Sequence, residues 1–240
     1  MKLRASNHKT AALTRIEVVV VIAVLSLLVI CCLPFLLARY SSRPEPSYGL
    51  TCVNNLKEIS LGYYLWAGDN NGKYPMEVSV TNGGTMEFAA TGDVVKTLQM
   101  MSNELSTPKI LYCPLDLQRT NAVNFVSFNQ KNISYFIGLD ASLNRPQTVL
   151  AGDANLAING VLVKSGLLQF STNAPVTWTS SRHVPDNIHF WTPDSKKHAG
   201  YIAFAGGSTG LTGLIWQTED KTLFQAFTIS GLATNHLAIP

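Results

Sequence analysis

The sequence lacks the motifs by which catalytic and metal-binding proteins are most readily identified. Its four cysteines form no CxxC pair, and its five histidines form neither an HExxH motif nor a helical i, i+4 pair. It has no internal repeat and no low-complexity tail. The formal net charge is only +3, which gives no electrostatic indication of nucleic-acid binding. We therefore expect no enzymatic activity, no cofactor and no nucleic-acid partner.

Charged residues are also missing from a long stretch near the N-terminus. From Val18 to Ala38 the chain has about 21 uncharged, mostly apolar positions, and about 20 helical residues cross the hydrocarbon core of a bilayer. Lys2, Arg4, Lys9 and Arg15 crowd before this run. Because basic residues remain cytoplasmic, we predict a single-pass membrane protein with a cytoplasmic N-terminus and an exported main body.

Glu17, at the start of the apolar run, distinguishes three interpretations. A cleaved secretory signal would have a shorter apolar core that ends at small residues. A plain signal anchor needs no carboxylate, and Glu17 is costly to place in lipid unless it lies at an interface or has a partner. The third interpretation, a segment that both anchors and assembles, accounts for the carboxylate.

Residues 9–23 resemble the type IV prepilin leader of pilins and type II secretion pseudopilins. In that family a prepilin peptidase cleaves before a hydrophobic residue, the new N-terminus is methylated, and a Glu is the fifth residue. The resemblance implies cleavage between Ala12 and Leu13, methylation of Leu13, and Glu17 as the fifth mature residue. Ala12 stands where the family usually has Gly, and Arg15 where an apolar residue is usual.

The same resemblance implies how the segment assembles. Pro34 becomes the twenty-second mature residue, where the family often has a helix-disrupting proline. Glu17 would pair with the N-terminal amine of a neighbouring subunit, which offsets the cost of a carboxylate in an apolar bundle. The implied partners are the prepilin peptidase, other pilin or pseudopilin subunits, and a secretion or pilus assembly platform in the inner membrane.

Later segments resemble pseudopilin-like proteins abundant in planctomycetes and verrucomicrobia. Cys52–Gly62 with Asp69–Pro75 is similar to their CxNNLKQ…DNNGxxP segment, and Tyr112–Asp116 to their (F/Y)xCPxD element. His198–Ser208 is similar to their HxGGxNxxFxDG hairpin, with Gly206 in place of an acidic residue. The resemblance therefore covers most of the chain in order.

The cysteines fall into two classes. Cys31 and Cys32 lie in the apolar run, where thiols behave as small hydrophobes. Cys52 and Cys113 belong to the exported part, where an oxidising compartment permits pairing. We predict a Cys52–Cys113 disulfide, with two free thiols as the alternative.

The predicted fold class is α+β: a long N-terminal transmembrane helix, kinked or broken, followed by an antiparallel-sheet head of pilin-like type. The predicted organisation is a leader, a transmembrane and assembly helix, a hinge, and a periplasmic head, at residues 1–12, 13–40, 41–49 and 50–240. Two prolines in Ser41–Ser47 indicate the hinge.

Within the head, apolar residues recur every three or four positions from Leu50 to Ala67, which predicts a helix. A short helix is expected over Val94–Leu105. Turn residues separate the remaining apolar runs at short spacing, which favours an antiparallel sheet over βαβ units. The predicted strands are Ile133–Ile137, Thr148–Gly152, Gly160–Val163, Leu167–Phe170, Asn187–Trp191, Tyr201–Ala205, Leu214–Gln217 and Leu223–Ile229.

Few residues suggest chemistry in the head. Gly206–Gly210 matches G-x-S-x-G, but the strand-like run that follows favours a hairpin over a hydrolase elbow. Gly68–Gly72 lacks the spacing of a calcium loop and is interpreted as a turn. Asp153, at the end of a predicted strand, is a weak candidate for calcium. His183 and His198 are interpreted as surface or hydrogen-bonded loop residues.

We predict a pseudopilin-like structural subunit of a type II secretion or type IV pilus-like filament. The alternative is a membrane-anchored periplasmic binding domain that does not polymerise, with a ligand held by the loops at 76–110 and 171–198. An enzyme that uses Asp153, His183 or His198 is the third hypothesis.

Overall fold

A computed structural model describes residues 15–41, 48–179, 200–206, 215–218 and 220–240 of the chain. The chain divides into two units, Met1–Pro46 and Ser47–Pro240. The first unit contains helix α1, and the second is an α+β head with antiparallel sheets, which confirms the predicted fold class.

Helix α1 spans Arg15–Ser41 and is assigned continuously through Pro34. Proline has no N–H that could donate to the carbonyl one turn earlier, so one backbone hydrogen bond of the helix is missing there. The helix ends at Ser41, where the interruption was predicted, and residues 42–47 lie outside the described part of the chain. The next helix begins at Tyr48, so the predicted hinge range overlaps the ends of both helices.

Helix α2 spans Tyr48–Asp69 and confirms the predicted helix of the head. Its apolar residues step by four and three positions, so they share one side of the helix and are buried there. The buried positions are Cys52, Leu56, Ile59, Tyr63 and Trp66. The predicted turn follows directly, with Asn71 and Gly72 at φ of 57° and 73°.

Three short helices follow α2 along the chain: α3 (Met86–Thr91), α4 (Val94–Met100) and α5 (Ser102–Leu105). The Asp93 carboxylate caps α4 by accepting a hydrogen bond from the Lys96 N–H at 3.0 Å. Gly92 ends α3 with φ of 72°, and an added Cβ would lie 2.1 Å from the Leu167 nitrogen. The predicted helix over Val94–Leu105 is therefore present as two pieces that break at Met101.

The described part of the head forms two antiparallel sheets. The strands are β1 (Tyr135–Gly138), β2 (Val149–Asp153), β3 (Leu156–Ile158), β4 (Val161–Leu162), β5 (Gly166–Ser171), β6 (Val176–Trp178), β7 (Gly200–Phe204), β8 (Ile215–Thr218) and β9 (Thr234–Ile239). The larger sheet has the order β5-β9-β1-β2-β7-β8, and the smaller has the order β4-β3-β6. Helix α6 (Asp220–Thr228) lies between β8 and β9 in the chain.

Two apolar cores lie on opposite faces of the larger sheet. Successive side chains of a strand point to opposite faces, and along β1 Tyr135 and Ile137 join one core while Phe136 joins the other. The α2 side chains belong to the first core, and Leu223 and Phe227 of α6 to the second. The sheet is therefore covered by helix α2 on one face and by α6 with the smaller sheet on the other.

One strand prediction was wrong, and three strands were missed. The segment predicted as the strand Leu223–Ile229 is mostly helix α6, because Leu223, Ala226 and Phe227 are buried at helical spacing. Strands β3, β6 and β9 were not predicted: β3 and β6 have only three residues each, and β9 contains polar residues at its start. The predicted strand Asn187–Trp191 lies outside the described residues.

Candidate functional site

Helix α1 presents apolar side chains on all sides. Every described side chain from Arg15 to Leu33 is exposed, and the mean hydropathy over an 18-residue window of this span is 3.1. A helix that is apolar all round requires an apolar environment, either a protein core or lipid. The span is therefore long and apolar enough to cross a bilayer, and its length, composition and N-terminal position suit a membrane anchor or a signal sequence.

The one hydroxyl in the span Val18–Leu33 is satisfied within the helix. The Ser26 Oγ donates to the Ala23 carbonyl at 2.9 Å, one turn earlier. This local bond satisfies the hydroxyl donor on an otherwise apolar surface, where an unpaired donor would be costly to remove from water.

Glu17 lies in the first turn of α1. The N–H groups of a first turn have no partner within the helix and carry partial positive charge, so they favour a carboxylate at this position. Ala12 and Leu13, the residues at the predicted cleavage and methylation site, lie outside the described residues. Their roles, and the assembly role of Glu17, therefore stay predictions.

The predicted disulfide is present between Cys52 and Cys113, with Cα atoms 5.2 Å apart and both side chains fully buried. Cys52 lies in the first half of α2, and Cys113 follows a 3-10 helix at Pro108–Leu111. The bond links positions 61 residues apart, and by chain-entropy reasoning a loop of that length stabilises the folded head by roughly 4 kcal/mol.

A buried polar cluster lies beside the disulfide and was missed from the sequence. The Asn55 side-chain amide donates to the Tyr112 carbonyl at 2.7 Å and to the Tyr135 hydroxyl at 3.2 Å. Burial, with the nearby carboxylates of Asp153 and Asp116 as smaller causes, raises the pKa of Tyr135 well above its ordinary value. Tyr135 therefore remains a neutral phenol that can donate as well as accept.

This cluster connects α2 to β1 and to the segment at Cys113. The Tyr135 hydroxyl donates to the Cys52 carbonyl at 3.5 Å, and the Cys113 N–H donates to the Ser134 Oγ at 3.0 Å. The sequence feature that could have indicated this cluster is the position of Asn55, three residues after Cys52 and therefore on the same side of a helix. We refer to the disulfide with Asn55, Ser134 and Tyr135 as the clamp.

Asp153 is almost fully buried at the end of β2, and its Oδ2 accepts a hydrogen bond from the Tyr201 N–H of β7 at 2.7 Å. This contact holds together two paired strands. Among the described residues, no three His, Cys, Asp or Glu side chains are arranged to hold a metal ion. His183 and His198 lie outside the described residues, so the structure assigns no chemistry to them.

Gly206 is the one described residue of the G-x-S-x-G match. Strand β7 precedes it and pairs antiparallel with β8, which starts at Ile215. The hydrolase elbow instead places a helix after the nucleophile. Residues 207–214 lie outside the described part of the chain, so the interpretation of the match as a hairpin stays a prediction.

No protein-family model matches this chain, and no curated protein or solved structure is detectably similar to it. The established features are thus an apolar N-terminal helix suited to a membrane and a disulfide-linked α+β head.

Proposed function

We propose that this protein is a pseudopilin-like structural subunit of a type II secretion or type IV pilus-like filament. Helix α1 anchors it in the inner membrane and then bundles with the α1 helices of other subunits. The head lies in the periplasm and determines what the filament contacts. The role is assembly rather than catalysis, and we expect no cofactor.

The observation that carries this proposal is the surface of α1. Its described side chains are all exposed and almost all apolar, yet Glu17 lies in its first turn. A simple anchor does not need a carboxylate at the edge of lipid, whereas a bundle of subunits would use it for register and partner recognition. The sequence match at residues 9–23 supports the same interpretation.

The clamp also suits an exported head. A buried disulfide forms and persists in an oxidising compartment, and the clamp joins α2 to the sheet close to where the chain enters the head. The partners on this proposal are a prepilin peptidase, other pilin or pseudopilin subunits, and the assembly platform.

Mass spectrometry of the mature N-terminus tests the processing step. The expected product begins at a methylated Leu13, because cleavage after Ala12 places Glu17 fifth. A protein isolated from its native membrane with Met1 intact would contradict the proposal. N-terminal cleavage within or after α1 would instead identify a secretory signal.

Assembly is testable with thiols that α1 already carries. Cys31 and Cys32 are exposed on α1, while Cys52 and Cys113 are paired within the head. Oxidation of native membranes should therefore give disulfide-linked oligomers, and Cys31→Ser with Cys32→Ser should abolish them. Glu17→Ala should reduce cross-linking strongly, whereas Glu58→Ala, which removes an exposed carboxylate of α2, should not. Equal cross-linking in the Glu17 and Glu58 variants would refute the assembly role of Glu17.

A further inference from the structure

The exposed side of helix α2 carries a row of four side chains that begins with a base and ends with an acid. The row consists of Lys57, Leu61, Leu65 and Asp69, and we refer to it as the α2 ridge. Residues spaced by four are neighbours on a helix surface, so the four side chains form one continuous ridge. All four are exposed, and the two leucines expose 54% and 51% of their surface. The ridge therefore faces away from the core that the other side of α2 fills.

The two charges of the α2 ridge are not compensated within the described residues. Neither Lys57 nor Asp69 forms an ion pair there. Asp69 is the last residue of α2, and the last turn of this helix has no basic residue. Because the carbonyl groups at the C-terminus of a helix carry partial negative charge, a carboxylate at that end gains from a nearby cation. The helix thus presents an acid that a cation from another chain would stabilise.

The order of residues in the ridge is complementary to itself when it is reversed. If a second ridge runs in the opposite direction, Lys57 of one chain lies opposite Asp69 of the other, and the leucines lie opposite each other. Helices whose i±4n rows run along each other cross at about 50°, the commonest class of helix packing. In a parallel pair, by contrast, each charge would meet its own kind. Charge therefore selects the antiparallel arrangement.

We propose that the α2 ridge is a contact between two copies of this chain, which form a two-fold dimer through antiparallel α2 helices. The same surface serves both subunits, as a two-fold axis requires. The leucines leave water at the centre of the contact, and an ion pair between Lys57 and Asp69 forms at each end. Since a single pair of helices makes a small interface, the dimer is weak, with a dissociation constant on the order of 10 μM.

This dimer goes beyond the proposed filament and does not depend on it. A filament grows through head-to-tail contacts that repeat in one direction, whereas a two-fold contact closes after two subunits. The α2 contact therefore belongs to subunits outside a filament. Glu17→Ala should leave it intact, so failure of the filament proposal and failure of the dimer proposal are observed separately.

Charge exchange tests the contact in the full chain, solubilised in detergent micelles and followed by sedimentation velocity. Lys57→Glu should weaken the dimer about tenfold, because both attractive pairs become repulsive. Lys57→Glu combined with Asp69→Lys should restore the wild-type affinity, since opposite charges again face each other. A double variant that dimerises no better than the single variant would overturn the proposal. A wild-type chain that is monomeric at about ten times the expected dissociation constant would also overturn it.

The same double variant tests the orientation of the helices. A fluorescently labelled wild-type chain is titrated with the unlabelled double variant, and the sedimentation of the label is measured. Antiparallel helices place like charges opposite each other in this mixed pair, so the mixed dimer should be about tenfold weaker than either pure dimer. A mixed dimer that is tighter than the pure dimers would mean that the helices are parallel and would overturn the proposal.

A matched pair of leucine variants tests the centre of the contact. Leu61→Ala removes apolar contact twice in each dimer and should weaken dimerisation about tenfold. Alanine is the best helix former, so the change leaves α2 and the unfolding of the head intact. Leu117→Ala, at a loop position that is 77% exposed and outside the ridge, should leave the dimer unchanged. Equal effects of the two variants would show that the ridge is not the contact.

Discussion

Helices α1 and α2 have similar lengths, 27 and 22 residues, but opposite relations to their surroundings. The described side chains of α1 are exposed all round, whereas α2 buries one side completely and leaves Leu50, Leu61 and Leu65 exposed on the other. Helix α2 is therefore stabilised by packing on the sheet. Helix α1 has no such support within the described structure and depends on an apolar solvent.

Matched substitutions in the two helices test this comparison. The four tryptophans of the chain allow the stability of the head to be measured. All four lie outside α1, at positions 66, 178, 191 and 216, so urea unfolding followed by tryptophan fluorescence reports on the head. Each experiment uses the full chain in nanodiscs.

Removal of the disulfide should have the largest effect. Cys52→Ala with Cys113→Ala should lower the free energy of unfolding of the head by roughly 4 kcal/mol, because the unfolded chain regains the entropy of an open loop. Cys31→Ala with Cys32→Ala removes the same number of sulfur atoms from α1 and should leave the head unchanged. Comparable destabilisation by both pairs would show that the stability of the head depends on α1.

Loss of a buried leucine should rank next. Leu56 is fully buried in the first core, so Leu56→Ala should lower the free energy of unfolding by about 3 kcal/mol through lost apolar contact and a residual cavity. Leu25→Ala, at a site on α1 that is 56% exposed, should change head unfolding by less than about 0.5 kcal/mol. A small effect at Leu56 would indicate that α2 is not held by its apolar side.

The clamp should contribute less. Asn55→Ala leaves the partly buried Tyr112 carbonyl and the buried Tyr135 hydroxyl without the amide donor, so we expect a loss of about 2 kcal/mol in the free energy of unfolding. The neighbouring Asn54 is exposed, and Asn54→Ala should be nearly neutral. Indistinguishable unfolding midpoints for the two variants would show that Asn55 does not contribute to the stability of the clamp.

The smallest expected effect is the loss of head stability at alkaline pH. Burial raises the pKa of the Tyr63 phenol above its ordinary value, with Tyr74 a smaller cause. Above about pH 10 the unfolded chain loses this proton while the folded head retains it, so stability is complete below that pH and falls as the pH rises. The span Arg15–Leu33 has no tyrosine, so the pH should not affect it in this way.

The adjacent tyrosines supply the test of this pH dependence. Tyr63→Phe should make the alkaline loss of stability shallower, and it should be nearly neutral at pH 7, because the Tyr63 hydroxyl is buried without a hydrogen-bond partner among the described residues. Tyr64→Phe, at an exposed position, should leave the alkaline profile unchanged. Identical profiles for the wild type and Tyr63→Phe would contradict the assignment.

Much of the helical structure could be predicted because its signals are local. The period of Leu56, Ile59 and Tyr63 specifies the buried side of α2, and Asp93 before Val94 specifies the start of α4. The exception is α6, where phenylalanine, threonine and isoleucine favour a strand. The second core overrides this preference, since Leu223 and Phe227 are buried together only as a helix.

The sheet was harder to predict because its pairing is not local. Strand β9 lies between β5 and β1, with Leu168 opposite Leu237 and Ile137 opposite Ala238. Neither neighbour in the sheet is its neighbour in the chain, and β9 contains Asn235 near its start, a residue type that is depleted in strands. Its place depends on partners far away in sequence rather than on its own pattern.

The amino-acid sequence by itself determined the apolar helix that begins this protein, the amphipathic helix α2, and the identity of the two cysteines that pair. Hydrophobicity along one stretch of chain is sufficient for the first two, and the third follows because Cys52 and Cys113 are the two cysteines outside the apolar run. Only the tertiary structure decided the strand order and the clamp around Asn55. Each of these joins residues that are distant in sequence, and such contacts arise when the two cores close on the sheet.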